Sequence, residues 1–333
     1  DRFSLHNANS ITFAQSGSGK SYTTKVEILR QLMQGTKVIV IDPEREYKRL
    51  TESVGGTYVK LSATSKEKIN PFDLATTFHK VSDLSEHAQD LTEVISLMAE
   101  GLSAREKAAV DKAILKVYKK AKETQPLLED LYAVLKDLGQ MKLCERLEKY
   151  ISGSLANVFN AQTNIKLDNR LVIFDIKDLP ESLRQIMMLI ISNFVQNQVK
   201  ASPEKRLLII DEGWLLLEHE ESARFVAGLV RRARKYYLGV SIISQQANDF
   251  LKSDYGRAIA SQSALRILMR QDTTTIKNVV SEFNLSEYEQ SYLLTCERGD
   301  ALLIADQNHV AVKVVASEKE HPLITTNPLE LYG

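Results

Sequence analysis

Ala14-Gln15-Ser16-Gly17-Ser18-Gly19-Lys20-Ser21 is the stretch from which the rest of this 333-residue chain is read. It meets the phosphate-binding pattern G-x-x-x-x-G-K-[ST] at every specified position except the first, where alanine replaces glycine. Ser10 to Phe13 reads as a short apolar strand running in. Residues 21–33, with Val26, Leu29, Leu32 and Met33 at helical spacing, read as the helix running out. An ordinary Ser/Gly turn ahead of a helix is the alternative, and the flanking strand and helix favour the phosphate loop.

The chemistry of such a loop is carried by the backbone. Gly17 and Gly19 let a phosphate approach, so that amides from about Ser16 to Ser21 point at it with the positive end of the helix dipole behind them. Lys20 adds a mobile charge for the β and γ phosphates, and the Ser21 hydroxyl suits Mg²⁺. The expected nucleotide contacts are Ser16, Gly17, Ser18, Gly19, Lys20, Ser21 and Tyr22, with ATP and Mg²⁺ as the bound species. Alanine tolerates positive φ poorly, so Ala14 is expected to shift the loop entrance and weaken nucleotide binding.

Composition narrows the remaining classes. A content of 44% hydrophobic and 26% charged residues is that of a globular chain, which excludes a disordered or fibrous one. The 43 basic and 43 acidic residues cancel, leaving no global electrostatic case for nucleic acid, although a local basic patch stays open. The run Ile186 to Ile191 is far shorter than the ~18 to 20 residues of a membrane helix. Cys144 and Cys296 form no C-x-x-C pair and the six histidines are scattered, so neither a disulfide framework nor a zinc site is expected.

Two textures divide the chain. Aliphatic runs alternate with helical stretches over residues 1–81 and 161–333, as in a mostly parallel sheet covered on both faces. Lys37 to Asp42, Arg170 to Asp175, Arg206 to Asp211, Gly239 to Ser244 and Ala264 to Met269 are the clearest strands. Three end in Asp, at the carboxyl edge where such sheets bind ligands. Asp300 to Asp306 and His309 to Val315 read as a hairpin closing the sheet edge. Residues 82–160 carry helical patterning, such as Leu127, Leu131, Val134, Leu135 and Leu138, and read as an all-α insertion domain.

The second chemical group is Leu207-Leu208-Ile209-Ile210-Asp211-Glu212. Alone, an acidic residue ending a strand often just caps a turn. With the phosphate loop present, Asp211 is the expected Mg²⁺ partner beside Ser21, and Glu212 is placed to polarise a water. Gln245, directly after its strand, is a candidate γ-phosphate sensor. In Arg231-Arg232-Ala233-Arg234-Lys235, an arginine such as Arg234 is a candidate to reach a neighbouring subunit's phosphates, with Arg266 and Arg270 as rivals and a solvated basic face as the alternative.

These residues carry a family resemblance. The succession of phosphate loop, Asp42-Pro43-Glu44-Arg45-Glu46-Tyr47, Gly55-Gly56, Ile69-Asn70-Pro71-Phe72-Asp73-Leu74, helical insert, Ile210-Asp211-Glu212-Gly213-Trp214, Arg234-Lys235 and Ser244-Gln245 resembles the TraC-like conjugation ATPases, the fourth VirB component of type IV secretion systems. It covers nearly the whole chain, and matches only the carboxy-terminal motor domain of those proteins. The resemblance implies a RecA-like P-loop core with Walker A and Walker B elements, an all-α insertion, ATP hydrolysis and a tendency to form hexamers. It implies a cytoplasmic site of action, peripheral at the membrane face without a direct span. The implied partners are a coupling protein, an assembly ATPase and inner-membrane channel proteins. It assigns Lys20 and Ser21 to nucleotide and Mg²⁺, Asp211 and Glu212 to hydrolysis and Gln245 to sensing. Two other readings use the same residues: a DNA-translocating motor of the HerA, FtsK and coupling-protein group, and a non-catalytic, nucleotide-gated assembly module.

Overall fold

The computed structural model describes residues 1–74, 81–121, 124–245, 247–325 and 330. One nine-stranded sheet forms its spine. The strands are β1 (Ser10–Phe13), β2 (Lys37–Asp42), β3 (Thr57–Lys60), β4 (Leu171–Asp175), β5 (Arg206–Ile210), β6 (Leu238–Ser244), β7 (Leu265–Leu268), β8 (Asp300–Ala305) and β9 (Asn308–Lys313), in spatial order β3-β4-β2-β5-β6-β1-β7-β8-β9. All pairings from β3 to β7 are parallel, and β8 and β9 add an antiparallel edge.

The uninterrupted aliphatic runs follow from burial on both faces. In β2, Val38 and Val40 belong to one apolar layer while Ile39 and Ile41 belong to the other; Leu207 and Ile209 are likewise separated from Leu208 and Ile210 in β5. Only β3 was not among the expected strands. Its four residues lie at the edge, two half-buried, one buried and one exposed, and lack an aliphatic run.

Among its described residues, the stretch between β3 and β4 holds five α-helices, Val81–Met98, Ala104–Lys120, Leu128–Asp137, Met141–Leu147 and Ala156–Phe159, and no strand. Leu128, Leu131, Val134 and Leu135 form the buried stripe of the third of these helices. Leu91, Val94 and Ile95 join the same apolar cluster as Ile39 and Ile41, so this helical layer packs directly on the sheet's own core.

A buried polar knot ties the helical layer to the Asn70–Leu74 segment. The Tyr118 hydroxyl donates to the Phe72 carbonyl (2.5 Å) and so accepts from His87 Nε2 (2.8 Å). The Asn197 amide donates to the Asp73 carbonyl (3.0 Å) and approaches His87 Nδ1 (3.2 Å). Protonating Nδ1 would set one donor against another. Burial, reinforced by Lys200, pushes His87 down to about 3. The unfolded chain binds this proton near pH 6.5 and the folded chain only near 3. The stability His87 contributes is therefore complete above 6.5 and is lost as pH falls through that interval. Relative to His87→Gln, the parent is expected to lose about 2 kcal/mol in urea unfolding between pH 7 and pH 5, since buried carboxyls such as Asp42, which is pushed up to about 7 and acts in the opposite sense, are common to both chains. An equal pH slope in the variant would show that other groups carry the loss.

Candidate active site

The loop after β1 closes on itself and on its neighbours. Ala14 N–H donates to Ser244 O (3.2 Å), Gln15 N–H to Arg270 O (3.0 Å), and Ser18 donates to Gln15 O through both its amide (3.1 Å) and its hydroxyl (2.6 Å). Gly17 and Gly19 adopt φ of 79° and 101°, as the glycine spacing requires. A Cβ on Gly19 would also lie 3.2 Å from the Gly299 amide nitrogen. The expected strain at Ala14 is corrected here. Its φ is not positive, and it is buried beside Met269 and Ala301 as a continuation of β1, so the loop entrance needs no glycine conformation.

The helix Lys20–Met33 starts at Gly19 without a side-chain cap, and its ladder opens with Thr23 N–H donating to Gly19 O (2.9 Å). The amides of Gly19 to Tyr22 thus precede the intrahelical ladder, which makes this helix end fit a phosphate.

β6 lies between β1 and β5, so the strand carrying the acids stands one strand away from the loop. Lys20 crosses that gap. Its Nζ donates to Asp211 Oδ1 (2.7 Å) and Glu212 Oε1 (2.5 Å). Gln245, at the end of β6, donates to the same Oε1 (2.6 Å), and the Trp214 indole donates to Oε2 (2.8 Å). Glu212 sits at φ 50°, in the left-handed region, between β5 and the short 3-10 helix Gly213–Leu217.

Burial alone would lower the Lys20 pKa, but Asp211 and Glu212 more than reverse it and hold the ammonium charged. Burial is also the largest influence on Asp211 and lifts its carboxyl, against the pull of Lys20. One ammonium facing two carboxylates leaves a surplus of negative charge. Hard oxygen donors with that surplus, facing the first turn of the helix that carries Lys20 and Ser21, fit Mg²⁺. Of the three strand-end aspartates, the other two are engaged elsewhere. Asp175 accepts from Arg45 and Tyr58 (both 2.6 Å), and Asp42 accepts the amides of Glu44, Glu46 and Tyr47.

The arginines separate clearly. Arg234 precedes β6 at the opposite edge of the sheet, about 20 Å of strand away from the loop. Arg266 lies near the start of β7 and donates to Ala260 O (3.3 Å), also remote from the loop; the Arg270 backbone touches the loop directly. Within one chain, therefore, Lys20, Asp211, Glu212 and Gln245 come together and Arg234 does not. Tyr22 lines a cavity of about 250 Å³ with Gly19, Arg298, Gly299, Val314 and His321. Its ring stands 5.9 Å from that of His321.

Several residues of this region were not expected. Trp214 and Tyr47 lie inside the motifs quoted above; an indole two residues after Glu212 was the available signal for Trp214, and Tyr47 carried none. Arg298-Gly299, directly before β8, carried no functional signal, yet the Gly299 amide donates to Ser18 O (2.9 Å).

The sequence profile of the TraG P-loop domain family matches residues 1–319. The chain belongs to this family. TraC of Escherichia coli K12 is 24% identical over 294 residues, a match covering 80% of this chain and 32% of TraC, so the chain spans about a third of that relative. VirB4 of Thermoanaerobacter pseudethanolicus superposes with a TM-score of 0.84 at 28% identity, over 95% of this chain and 91% of that one. The coupling protein TrwB, solved with ADP and Mg²⁺, gives a TM-score of 0.65 at 12% identity over 93% and 86%, which shows a common fold alone. The resemblance read from the motifs holds, and with it the RecA-like P-loop core. No helix of this TraG-family chain, among the described residues, is long and apolar enough to cross a membrane.

Proposed function

We propose that this chain is an ATP-hydrolysing motor domain that energises type IV secretion or conjugative transfer. The observation that carries this reading is Lys20 reaching from an uncapped, glycine-turned helix end to both Asp211 and Glu212. The amides of residues 16–22 would cradle the phosphates, and Ser21 with Asp211 would hold Mg²⁺, which when bound neutralises phosphate charge. Lys20 would exchange its carboxylate partners for the β and γ phosphates. Glu212, released from Lys20 and still held by Trp214, would take the proton of an attacking water that Gln245 helps to orient. We read residues 82–160 as a helical insertion between two core segments, 1–81 and 161–333.

Arg234 is too far from the loop of its own chain, so its role would be in trans, at the phosphates of an adjacent subunit in a hexamer. Attachment to a secretion channel would then come through partner proteins of the conjugation or secretion machinery, at the cytoplasmic face of the membrane. TrwB, which shares the fold, has been solved in complex with ADP and Mg²⁺, and this supports the nucleotide and metal assignment by analogy.

Steady-state ATP hydrolysis with Mg²⁺ across a protein concentration series tests the reading. Turnover per chain is expected to rise with concentration, and Arg234→Ala is expected to abolish the rise while leaving nucleotide binding intact. Turnover strictly proportional to protein would remove the role in trans. No Mg²⁺-dependent nucleotide binding at all would remove the motor assignment itself.

A further inference from the structure

Asp211 is held at both of its oxygens, and the two holds differ in kind. Oδ1 accepts from the mobile Lys20 ammonium (2.7 Å) and from the Glu212 amide (2.9 Å). Oδ2 accepts from the hydroxyl of Tyr47 (3.0 Å), which arrives from the turn after β2, 164 residues away in sequence. Tyr47 has no exposed surface and packs in the apolar layer with Val38, Val40 and Leu50.

Its placement is built in several steps. Asp42 ends β2, the strand beside β5, and its Oδ1 accepts the amides of Glu44 (3.2 Å) and Glu46 (3.1 Å) while Oδ2 accepts the amide of Tyr47 itself (3.1 Å). That wraps the chain into a turn and leads into the short helix Lys48–Ser53, whose Thr51 hydroxyl donates to the Tyr47 carbonyl (2.8 Å). The Lys25 ammonium, from the helix that follows the phosphate loop, stands 5.8 Å from the centre of the Tyr47 ring. The phenol is therefore fixed by backbone, packing and charge before it touches Asp211.

We propose that Tyr47 is a positioning residue for the divalent cation, holding Oδ2 of Asp211 so that Oδ1 is the oxygen presented to the metal once Lys20 has moved to the phosphates. This rests on the assignment of Asp211 to Mg²⁺ made above. It also gives the Asp42-to-Tyr47 motif a physical purpose: Asp42 shapes the turn, and the turn delivers a hydroxyl to the metal-binding carboxylate. A carboxylate held at one oxygen keeps its orientation when the cation beside the other is exchanged, and outer partners of this kind typically alter metal affinity 10- to 100-fold.

The test uses the whole chain loaded with ADP and Mn²⁺ as a paramagnetic stand-in for Mg²⁺, titrated by EPR. Tyr47→Phe is expected to weaken Mn²⁺ binding to the ADP-loaded chain by about 10-fold, with ADP affinity in the absence of metal unchanged. Asp42→Asn, which cannot accept all three amides, is expected to give a shift of the same size. The double variant is expected to add nothing further, because both changes act through one hydrogen bond. A tyrosine serving only the core would lower the unfolding temperature and leave Mn²⁺ affinity at the parent value; that result in a folded Tyr47→Phe chain overturns the inference. If Tyr47→Phe does not fold, unchanged Mn²⁺ affinity in Asp42→Asn overturns it instead. Failure of the parent itself to bind Mn²⁺ with ADP overturns the assignment of Asp211, and the inference falls with it.

Discussion

Glu212→Gln is expected to lower ATP turnover by about 100- to 10,000-fold while nucleotide still binds, because the amide cannot take a proton from water while the phosphate loop, Lys20 and Asp211 are retained. Three donors converge on the Glu212 carboxylate, from Lys20, Gln245 and Trp214. A glutamine has one acceptor oxygen for them and an NH₂ group that would face a donor, so a stability loss of about 1 kcal/mol is expected as well. Lys20 loses one of its two anionic partners and keeps Asp211. The ammonium is then easier to transfer to phosphate, so ADP affinity should stay level or rise. Turnover in the Glu212→Gln chain and nucleotide affinity by fluorescence titration decide the matter together. Unchanged turnover would remove Glu212 as the base. A parent chain that binds nucleotide and turns none over would favour the nucleotide-gated, non-catalytic reading. Lost affinity in the variant would mean that the carboxylate shapes the pocket and is not specific to the chemical step.

Much of this site was legible in the sequence because its parts announce themselves separately. The phosphate loop has a fixed spacing, and Asp211 ends a short aliphatic run of the kind a doubly covered strand produces. Their meeting spans 191 residues of sequence, and it could be anticipated because each half implies the other. The Tyr47 hydroxyl gave no such signal. A tyrosine after an Asp-Pro turn looks like any buried aromatic, and its approach to Asp211 depends on β2 and β5 being neighbours, which no local pattern encodes. β3 escaped for a related reason, since Thr57-Tyr58-Val59-Lys60 is short, exposed in part and ordinary in composition. Ala14 shows the converse error. A consensus glycine invites a conformational explanation, and here the first loop position has no positive φ and packs in a small apolar cluster. Arg234 marks a different limit: its distance from the loop is plain only once β6 is seen to run from one edge of the sheet to the other.

Lys20→Ala is expected to abolish nucleotide binding and turnover, and also to destabilise the nucleotide-free chain, by about 3–5 kcal/mol at neutral pH. The second effect is specific to this structure. Asp211 has no exposed side chain and Glu212 only 10%, and Lys20 is the ammonium that meets both. Removing it leaves a fully buried carboxylate beside a second one, each still hydrogen-bonded but without the cation. Burial already lifts the Asp211 carboxyl above its ordinary value, and Lys20 is the leading influence in the other direction. In the variant the folded chain therefore holds a proton on this group to still higher pH than the parent does, further above the unfolded value. The stability associated with that proton is present below the unfolded value near 4 and is lost as pH rises through the folded one. The gap between parent and Lys20→Ala should consequently be widest at neutral pH and close as pH is lowered toward 4. His87 acts in the opposite sense but equally in both chains, so it cancels from the difference. Chemical unfolding of the two chains at neutral and mildly acid pH, without nucleotide, measures this directly. A constant gap would mean that the carboxylates relax toward solvent when the lysine is gone. A gap that closes would establish that the cation awaiting phosphate is, until phosphate arrives, the counter-charge that lets this pair of acids remain buried at the end of β5.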